Sequence, residues 1–146
     1  MKEIARQLDA IVATAEPRLQ LLNDENSGPG PLPNAWSKKE ILGHLIDSAA
    51  NNHQRIVRAI CGVAVDFPVY DQNQWVTIQR YNDISWSALV NFWVAYNKHL
   101  SHVIHHTPQD AEFSPCNVGK AEPVTLAELV KDYLRHMRHH LNDLID

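Results

Sequence analysis

Four long segments of the chain repeat apolar residues at steps of three and four, which is the spacing of an amphipathic helix. The first covers residues 4–22 and contains Pro17, which should kink or split it. The others run from 37 to about 60, from 85 to 106, and from 125 to 144. No segment alternates apolar and polar residues over the length of a strand. We therefore predict an all-α fold, a four-helix bundle.

Two of these helices begin with a capping box. The sequence SKKE starts at Ser37 and TLAE starts at Thr125. In each, the hydroxyl can accept a hydrogen bond from the backbone of the glutamate three residues later, whose carboxylate can accept one in return. Trp36 and Ile41 can pack together as a hydrophobic staple around the first box. Gly62 is expected to end the second helix.

The segments between the helices differ in character. Residues 24–35 hold three prolines and two glycines, which is typical of a loop. Residues 63–84 have no steady period, but they are aromatic, with Phe67, Tyr70, Trp75 and Tyr81. We expect this second segment to pack back onto the bundle, since a loop in water has no need of so much aromatic surface.

Composition limits the class of protein. A chain of 146 residues fits a single domain, 1–146. The net charge of -4, from 13 basic and 17 acidic side chains, argues against a nucleic-acid partner. No apolar run approaches the ~18 residues of a membrane span. Two cysteines, Cys61 and Cys116, are too few for a disulfide framework. We expect a cytoplasmic protein with no membrane partner.

The unusual feature is nine histidines, three of which lie within five positions of the last helix. His136 and His140 are four residues apart, so they differ by only ~40° around the helix and ~6 Å along it. Both rings can therefore reach one ion, as histidine pairs at this spacing do in known zinc helices. His139 lies outside the apolar arc and should face solvent.

A rival pair lies in the third helix. His102 and His106 have the same spacing, but with His99 they lie on the side away from the aromatic stripe of that helix. A solvated, histidine-rich face that binds metal at most adventitiously is the simpler interpretation. His53 lies on the more apolar side of the second helix and is expected to be a packing histidine.

His44 is the best candidate for a third ligand from another helix. It shares a face of the second helix with Asp47, Ser48, Asn51 and Arg55, and not with the leucines. That face is either exposed to solvent or the wall of a polar cleft. Spacing alone does not decide between the two.

Three stretches together resemble the DinB/YfiT-like superfamily of four-helix-bundle metalloproteins. They are WSKKEILGHLIDS, which begins at Trp36, YDQNQWVTIQRY, which begins at Tyr70, and HMRHHLNDLI in the last helix. The family pairs a Trp-Ser capped second helix that contains a histidine with an H-x-x-x-H motif near the end of the last helix. The resemblance covers residues 36–144 in pieces, in the right order.

The resemblance implies a divalent metal ion, with zinc or nickel as first candidates, held by His44, His136 and His140. It places His44 in a cleft, and it makes His139 a neighbour of the site and not a ligand. One departure from the family is that Leu-Asn-Asp follows His140, where many members carry Arg-Gly-Gln. Asp143 is then a candidate acceptor for a ligand ring.

The family implies a metal-dependent enzyme that acts on a small molecule, either a small-thiol S-transferase or a hydrolase. Asp47 and Tyr81 are predicted catalytic residues, with Asn51 and Gln79 in supporting roles. The implied partners are a small-molecule substrate, which for a transferase includes a low-molecular-weight thiol, and a second copy of the chain in a homodimer. The alternative is a non-catalytic metal-binding bundle that serves sensing or storage.

Overall fold

The computed structural model describes residues 1–29, 35–62 and 66–145. In these ranges the α-helices are α1 (Lys2–Leu19), α2 (Asp24–Ser27), α3 (Lys38–Ile60), α4 (Gln72–Gln79), α5 (Trp86–His105) and α6 (Leu126–Ile145). Short 3-10 turns occupy Tyr81–Asp83 and Asp110–Phe113. Two antiparallel strands of two residues each, β1 (Pro115–Cys116) and β2 (Val124–Thr125), form the remaining regular structure. The predicted all-α four-helix bundle is confirmed.

The four long helices pack as a closed ring in the order α1, α5, α3, α6. Each helix therefore has two neighbours, and α1 faces α3 across the diagonal. Helices that follow each other in the chain are not always neighbours in space, because α5 and α6 also lie diagonally. The order makes α3 and α6 adjacent, and these are the two helices that carry the candidate metal ligands.

Both predicted capping boxes are present at the starts of α3 and α6. The Ser37 hydroxyl accepts from the backbone of Glu40 at 3.1 Å, and the Glu40 carboxylate accepts from the backbone of Ser37 at 2.8 Å. Thr125 and Glu128 make the same exchange at 3.2 and 2.8 Å. Gly62 adopts a φ of +66° just after α3, which suits a residue without a Cβ. Local sequence signals therefore fix where both ligand-bearing helices begin.

Three sequence expectations need correction. Of the two outcomes expected at Pro17, a kink or a split, the split does not occur: α1 runs through that residue to Leu19, because a proline this close to the end removes little of the hydrogen-bond ladder. The predicted 24–35 loop begins with the helical turn α2, which is capped by Asn23. The aperiodic segment contains α4, which is capped by Asp71. The parts of these two segments at 30–34 and 63–65 lie outside the described residues.

The aromatic segment packs back on the bundle, as expected. Phe67, Val76 and Tyr81 are buried in the core. The Phe67 backbone N–H donates to the Asn117 carbonyl at 2.9 Å, so residues 66–71 are joined to the β1–β2 hairpin. These two segments cover one end of the α3–α6 contact. No helix in the described part of the chain is long and apolar enough to cross a membrane.

Gly43, inside α3, allows the ring of Tyr81 to lie against the helix backbone. A Cβ built on Gly43 would stand 2.1 Å from Cδ2 of Tyr81 and 2.3 Å from its Cγ. Both residues are buried, so the ring has no free space into which to move. A residue that normally weakens a helix is therefore needed here for packing.

We expect Gly43→Ala to destabilise the fold by about 1–3 kcal/mol, although Ala normally favours a helix interior over Gly by about 1 kcal/mol. The reason is the clash with the Tyr81 ring. Urea unfolding measures the change. The matched control is Gly28→Ala, whose new Cβ would meet its nearest atom at 3.9 Å. A Gly43→Ala protein as stable as the parent would contradict this packing.

Candidate metal centre

The three histidines predicted as ligands lie together between α3 and α6. Nε2 of His44 is 3.1 Å from Nε2 of His136, although the residues are 92 positions apart in the chain. One ring nitrogen from each of His44, His136 and His140 lies within 4.8 Å of the other two. His44 is buried, and the other two rings are partly buried. The face of α3 that spacing left undecided is therefore a wall of the helix interface.

Burial favours the neutral form of these rings. Desolvation, followed by the neighbouring His136 and His140 rings, lowers the pKa of His44 from 6.5 to about 4. Desolvation and the His140 ring lower the pKa of His136 to about 4 as well. The pKa of His140 is also lowered, by burial and then by His139. Neutral imidazoles keep a free lone pair, which is the form that binds a metal.

The geometry fits a divalent cation. Two imidazole nitrogens at 2.0–2.1 Å from a tetrahedral ion stand about 3.3 Å apart. The Nε2 atoms of His44 and His136 are already close to that separation, at 3.1 Å. Three neutral nitrogen donors and no carboxylate make up this group, a ligand set that suits zinc, nickel and other borderline metals.

Packing, and not a hydrogen bond to Nδ1, orients the His44 and His136 rings. The Nδ1 atoms of His44 and His136 are buried without a hydrogen-bond partner among the described residues. Metal-binding histidines usually donate this second N–H to an acceptor. Here the Trp36 ring lies 4.9 Å from the His44 ring, so the predicted staple residue also holds His44 in place.

Asp47 joins the helix to the aromatic segment. Its Oδ1 accepts from the Tyr81 hydroxyl at 2.6 Å and from the Gln79 amide at 2.6 Å. Its Oδ2 is buried without a partner among the described residues. Burial raises the pKa of Asp47, and the bonds from Tyr81 and Gln79 oppose that rise. Burial and Asp47 raise the pKa of Tyr81 far above its usual range, so this hydroxyl stays protonated.

A cavity of about 250 Å³ opens beside the ligand rings. Its α3 wall carries His44, Ser48, Asn52 and Arg55, and its α6 wall includes His136. Tyr70 and Val69, from the aromatic segment, close the cavity from above, together with Val118 and Lys120 from the hairpin. The imidazole group therefore borders a space that can take a small molecule.

The structure separates the remaining candidates. Asn51 donates to the Asp47 carbonyl of its own helix. Neither Asn51 nor the predicted catalytic residues Asp47 and Tyr81 line the cavity; Asp47 and Tyr81 lie behind its wall. Asp143 stands 3.8 Å from Nδ1 of His140, too far for a hydrogen bond. His139 is exposed, and with His140 and Asp143 it forms a second, more open group of possible ligand atoms. The exposure of His139 agrees with its predicted position outside the apolar arc.

The other histidines lie as the sequence indicated. His102 and His106 are exposed on α5, with ring centres 4.3 Å apart. His53 is partly buried, and its Nδ1 is 3.2 Å from the Tyr96 hydroxyl.

Sequence analysis missed Asn52 and Lys120 as cavity residues, and it gave Tyr70 and Trp36 no place beside the site. The aromatic content of residues 63–84 was the one signal that pointed to Tyr70.

Comparison with known proteins supports the fold. No protein-family profile matches the sequence. The chain is 26% identical over 126 residues to a proposed metal-dependent hydrolase of Oceanobacillus iheyensis, a match that covers 82% of this chain and 69% of the relative. YfiT of Bacillus subtilis, described as a probable metal-dependent hydrolase with an unusual four-helix-bundle topology, superposes with a TM-score of 0.84. That alignment has 14% identity and covers 97% of this chain and 82% of YfiT.

The chain therefore has the four-helix-bundle fold of YfiT. A second solved structure with this fold is the mycothiol-dependent maleylpyruvate isomerase, which matches with a TM-score of 0.79 and 18% identity. The match covers 97% of this chain but only 59% of the isomerase. This chain therefore corresponds to part of that larger protein.

The lowered pKa values of the ligand rings predict a pH-dependent stability for protein treated with a chelator. The folded pKa of about 4 at His44 and His136 lies below the 6.5 of the unfolded chain, so the unfolded state takes up protons first as the pH falls. Stability present above pH 6.5 is therefore lost between about 6.5 and 4. We expect each of these two rings to account for a loss of about 2 kcal/mol between pH 7.5 and 5.0, so about 4 kcal/mol together, measured by urea unfolding.

The variant His44→Gln/His136→Gln should lose less stability over the same interval than the parent. The control is His102→Gln, which changes an exposed ring and should follow the parent. Equal pH dependence in the double variant and the parent would show that these rings do not titrate as described.

Proposed function

We propose that this protein is a metal-dependent enzyme that holds one divalent cation through His44, His136 and His140. The observation that carries the proposal is the group of three imidazole nitrogens within 4.8 Å, placed at a cavity of about 250 Å³. The names of two proteins that it resembles, the Oceanobacillus protein and YfiT, both include metal dependence and support this. Zinc or nickel fits the nitrogen ligands.

The chemistry we propose is generation of a nucleophile at neutral pH. A divalent ion held by three neutral imidazoles would keep its full charge and lower the pKa of a water or of a thiol. A thiol sulfur that attacks a carbon and displaces its leaving group makes the protein an S-transferase, while water that attacks an ester or amide carbon makes it a hydrolase. The mycothiol-dependent neighbour favours the first of these, and the hydrolase names favour the second.

We propose that Asp47 accepts the proton that the nucleophile releases. Three observations support this role: it is one helical turn from His44, its pKa is raised, and its Oδ2 has no partner among the described residues. Tyr81 and Gln79 then serve as positioning residues that hold Oδ1. This modifies the sequence prediction, which gave Tyr81 a catalytic role of its own.

A non-catalytic metal-binding bundle for sensing or storage is the second candidate. The exposed group of His139, His140 and Asp143 favours it, since an open site of this kind loads without any substrate cavity. We also propose that the protein is cytoplasmic, where Cys61 and Cys116 stay free thiols, and that it forms a homodimer.

Metal content tests the ligand assignment. Protein purified without an affinity tag should hold about one divalent ion per chain, measured by inductively coupled plasma mass spectrometry. The metal content of His44→Ala and of His136→Ala should each be at least ten-fold lower than that of the parent protein, because two imidazoles hold the ion much more weakly than three. His139→Ala and His102→Ala are the matched controls and should stay loaded.

Metal lost with His139→Ala but kept with His44→Ala would assign the ion to the exposed group and contradict the proposed enzyme. Metal kept in all four variants would favour storage on the histidine-rich surface.

Turnover tests Asp47. Screening with a thiol plus a chlorinated or epoxide electrophile, and with ester and amide panels, identifies the reaction. We expect Asp47→Asn to keep its metal and to lower kcat by about 10²–10⁴-fold, the usual contribution of a general base. Tyr81→Phe removes one bond to Oδ1 and should cost less than ten-fold.

Both variants weaken the same hydrogen-bond group, so their unfolding free energies are compared as well. Equal losses of kcat and of stability in Asp47→Asn and Tyr81→Phe would show that Asp47 only holds the aromatic segment in place and does not accept a proton.

A further inference from the structure

The α3 wall of the cavity is a row of polar side chains that leads away from the ligand rings. His44, Ser48, Asn52 and Arg55 follow each other at steps of four, four and three residues, so they share one face of the helix. The eleven residue steps from His44 to Arg55 span about 16 Å of helix axis. The cavity therefore has two chemically different ends, imidazoles at one and a guanidinium at the other.

The guanidinium of Arg55 is partly buried, and no carboxylate pairs with it among the described residues. Asp132 is an acidic side chain that lines the same cavity, but it is shared by Lys120, at 3.8 Å, and Arg135. A cation removed from water without a partner is costly, so natural proteins seldom keep one without use. An anionic ligand at this end would supply the missing partner.

The wall between Arg55 and the ligand rings offers neutral groups that can donate hydrogen bonds. Tyr70 lines the cavity beside Arg55, whose charge opposes the rise that burial causes in the pKa of the Tyr70 hydroxyl. The Ser48 hydroxyl lies about two turns from Arg55 towards His44 and accepts from the Asn52 amide at 3.4 Å, so its own proton is available. A guanidinium with neutral donors matches a carboxylate, which it binds through two parallel hydrogen bonds.

We propose that Arg55, with Tyr70, forms a carboxylate-binding subsite, so that the molecule bound at the imidazoles carries a carboxylate at its far end, with Ser48 along the path between the two ends. This inference rests on the proposed function. One unpaired cation suits one negative charge, and the small cavity suits a narrow, elongated ligand. The carboxylate can belong to the thiol or to the second reactant, and the two arms of the experiment separate these sources.

Isothermal titration of chelator-treated and metal-loaded protein tests the subsite. The thiol arm compares glutathione with its diethyl ester, and the thiol-free arm compares adipate with adipamide. In at least one arm, the anion should bind at least ten-fold more tightly than its neutral analogue. Arg55→Gln should remove that preference. Arg55→Lys should keep part of it, because lysine retains the positive charge but lacks the two parallel N–H donors of the guanidinium.

The matched control is Arg58→Gln, which removes an exposed arginine one turn further along the same helix and should keep the full preference. A preference in the thiol arm alone assigns the carboxylate to the thiol, and one in the thiol-free arm assigns it to the second reactant. Anion and neutral analogue bound equally in both arms would overturn the subsite, as would a preference that survives Arg55→Gln.

The results that would contradict the carboxylate subsite differ from those that would contradict the proposed enzyme. If the metal-content test fails but adipate still binds chelator-treated protein through Arg55, the subsite stands without the proposed chemistry. If the metal is bound as proposed and Arg55→Gln changes no affinity, the enzyme stands and the subsite is wrong.

Discussion

The packing of α3 against α6 is the contact on which the rest of the site depends. It brings three imidazoles into a space where burial and mutual repulsion favour their neutral forms. Neutral nitrogens that converge at 3.1 Å can share one proton between two rings, or they can accept one cation together. The helix contact thereby turns an ordinary histidine into a potential ligand without any charged residue in the group.

A short stretch of α3 serves both the fold and the site. Glu40 completes the cap that starts the helix, Gly43 makes room for Tyr81, and Asp47 receives the hydroxyl of that same ring. His44 lies within this stretch, under the ring of Trp36. The requirements of packing and of binding therefore coincide within about two turns of helix, and a change to one of them disturbs the other.

The sequence predicted the long helices and their capping boxes, which depend on neighbours in the chain, although it missed the short helices α2 and α4. Capping boxes placed the starts of α3 and α6, and apolar spacing separated His136 and His140 from the exposed His139. The face that carries His44 could not be assigned in this way, because polar residues line both solvent faces and clefts. Its burial depends on α6, which is distant in the chain. The place of Tyr70 beside the site was not predicted for a related reason. Apolar residues in its segment have no regular spacing, and the β1–β2 hairpin that packs against this segment comes far later in the sequence.

The ring order of the helices also determines when the histidine group can form. Residue 44 leaves the ribosome well before residue 140, and α5 and the hairpin are synthesised in between. Closing a chain segment of about 90 residues costs about 4 kcal/mol in entropy, so the two halves of the group meet only once most of the bundle is in place. A cation that binds all three rings therefore selects chains that have completed folding over chains that are still partly formed.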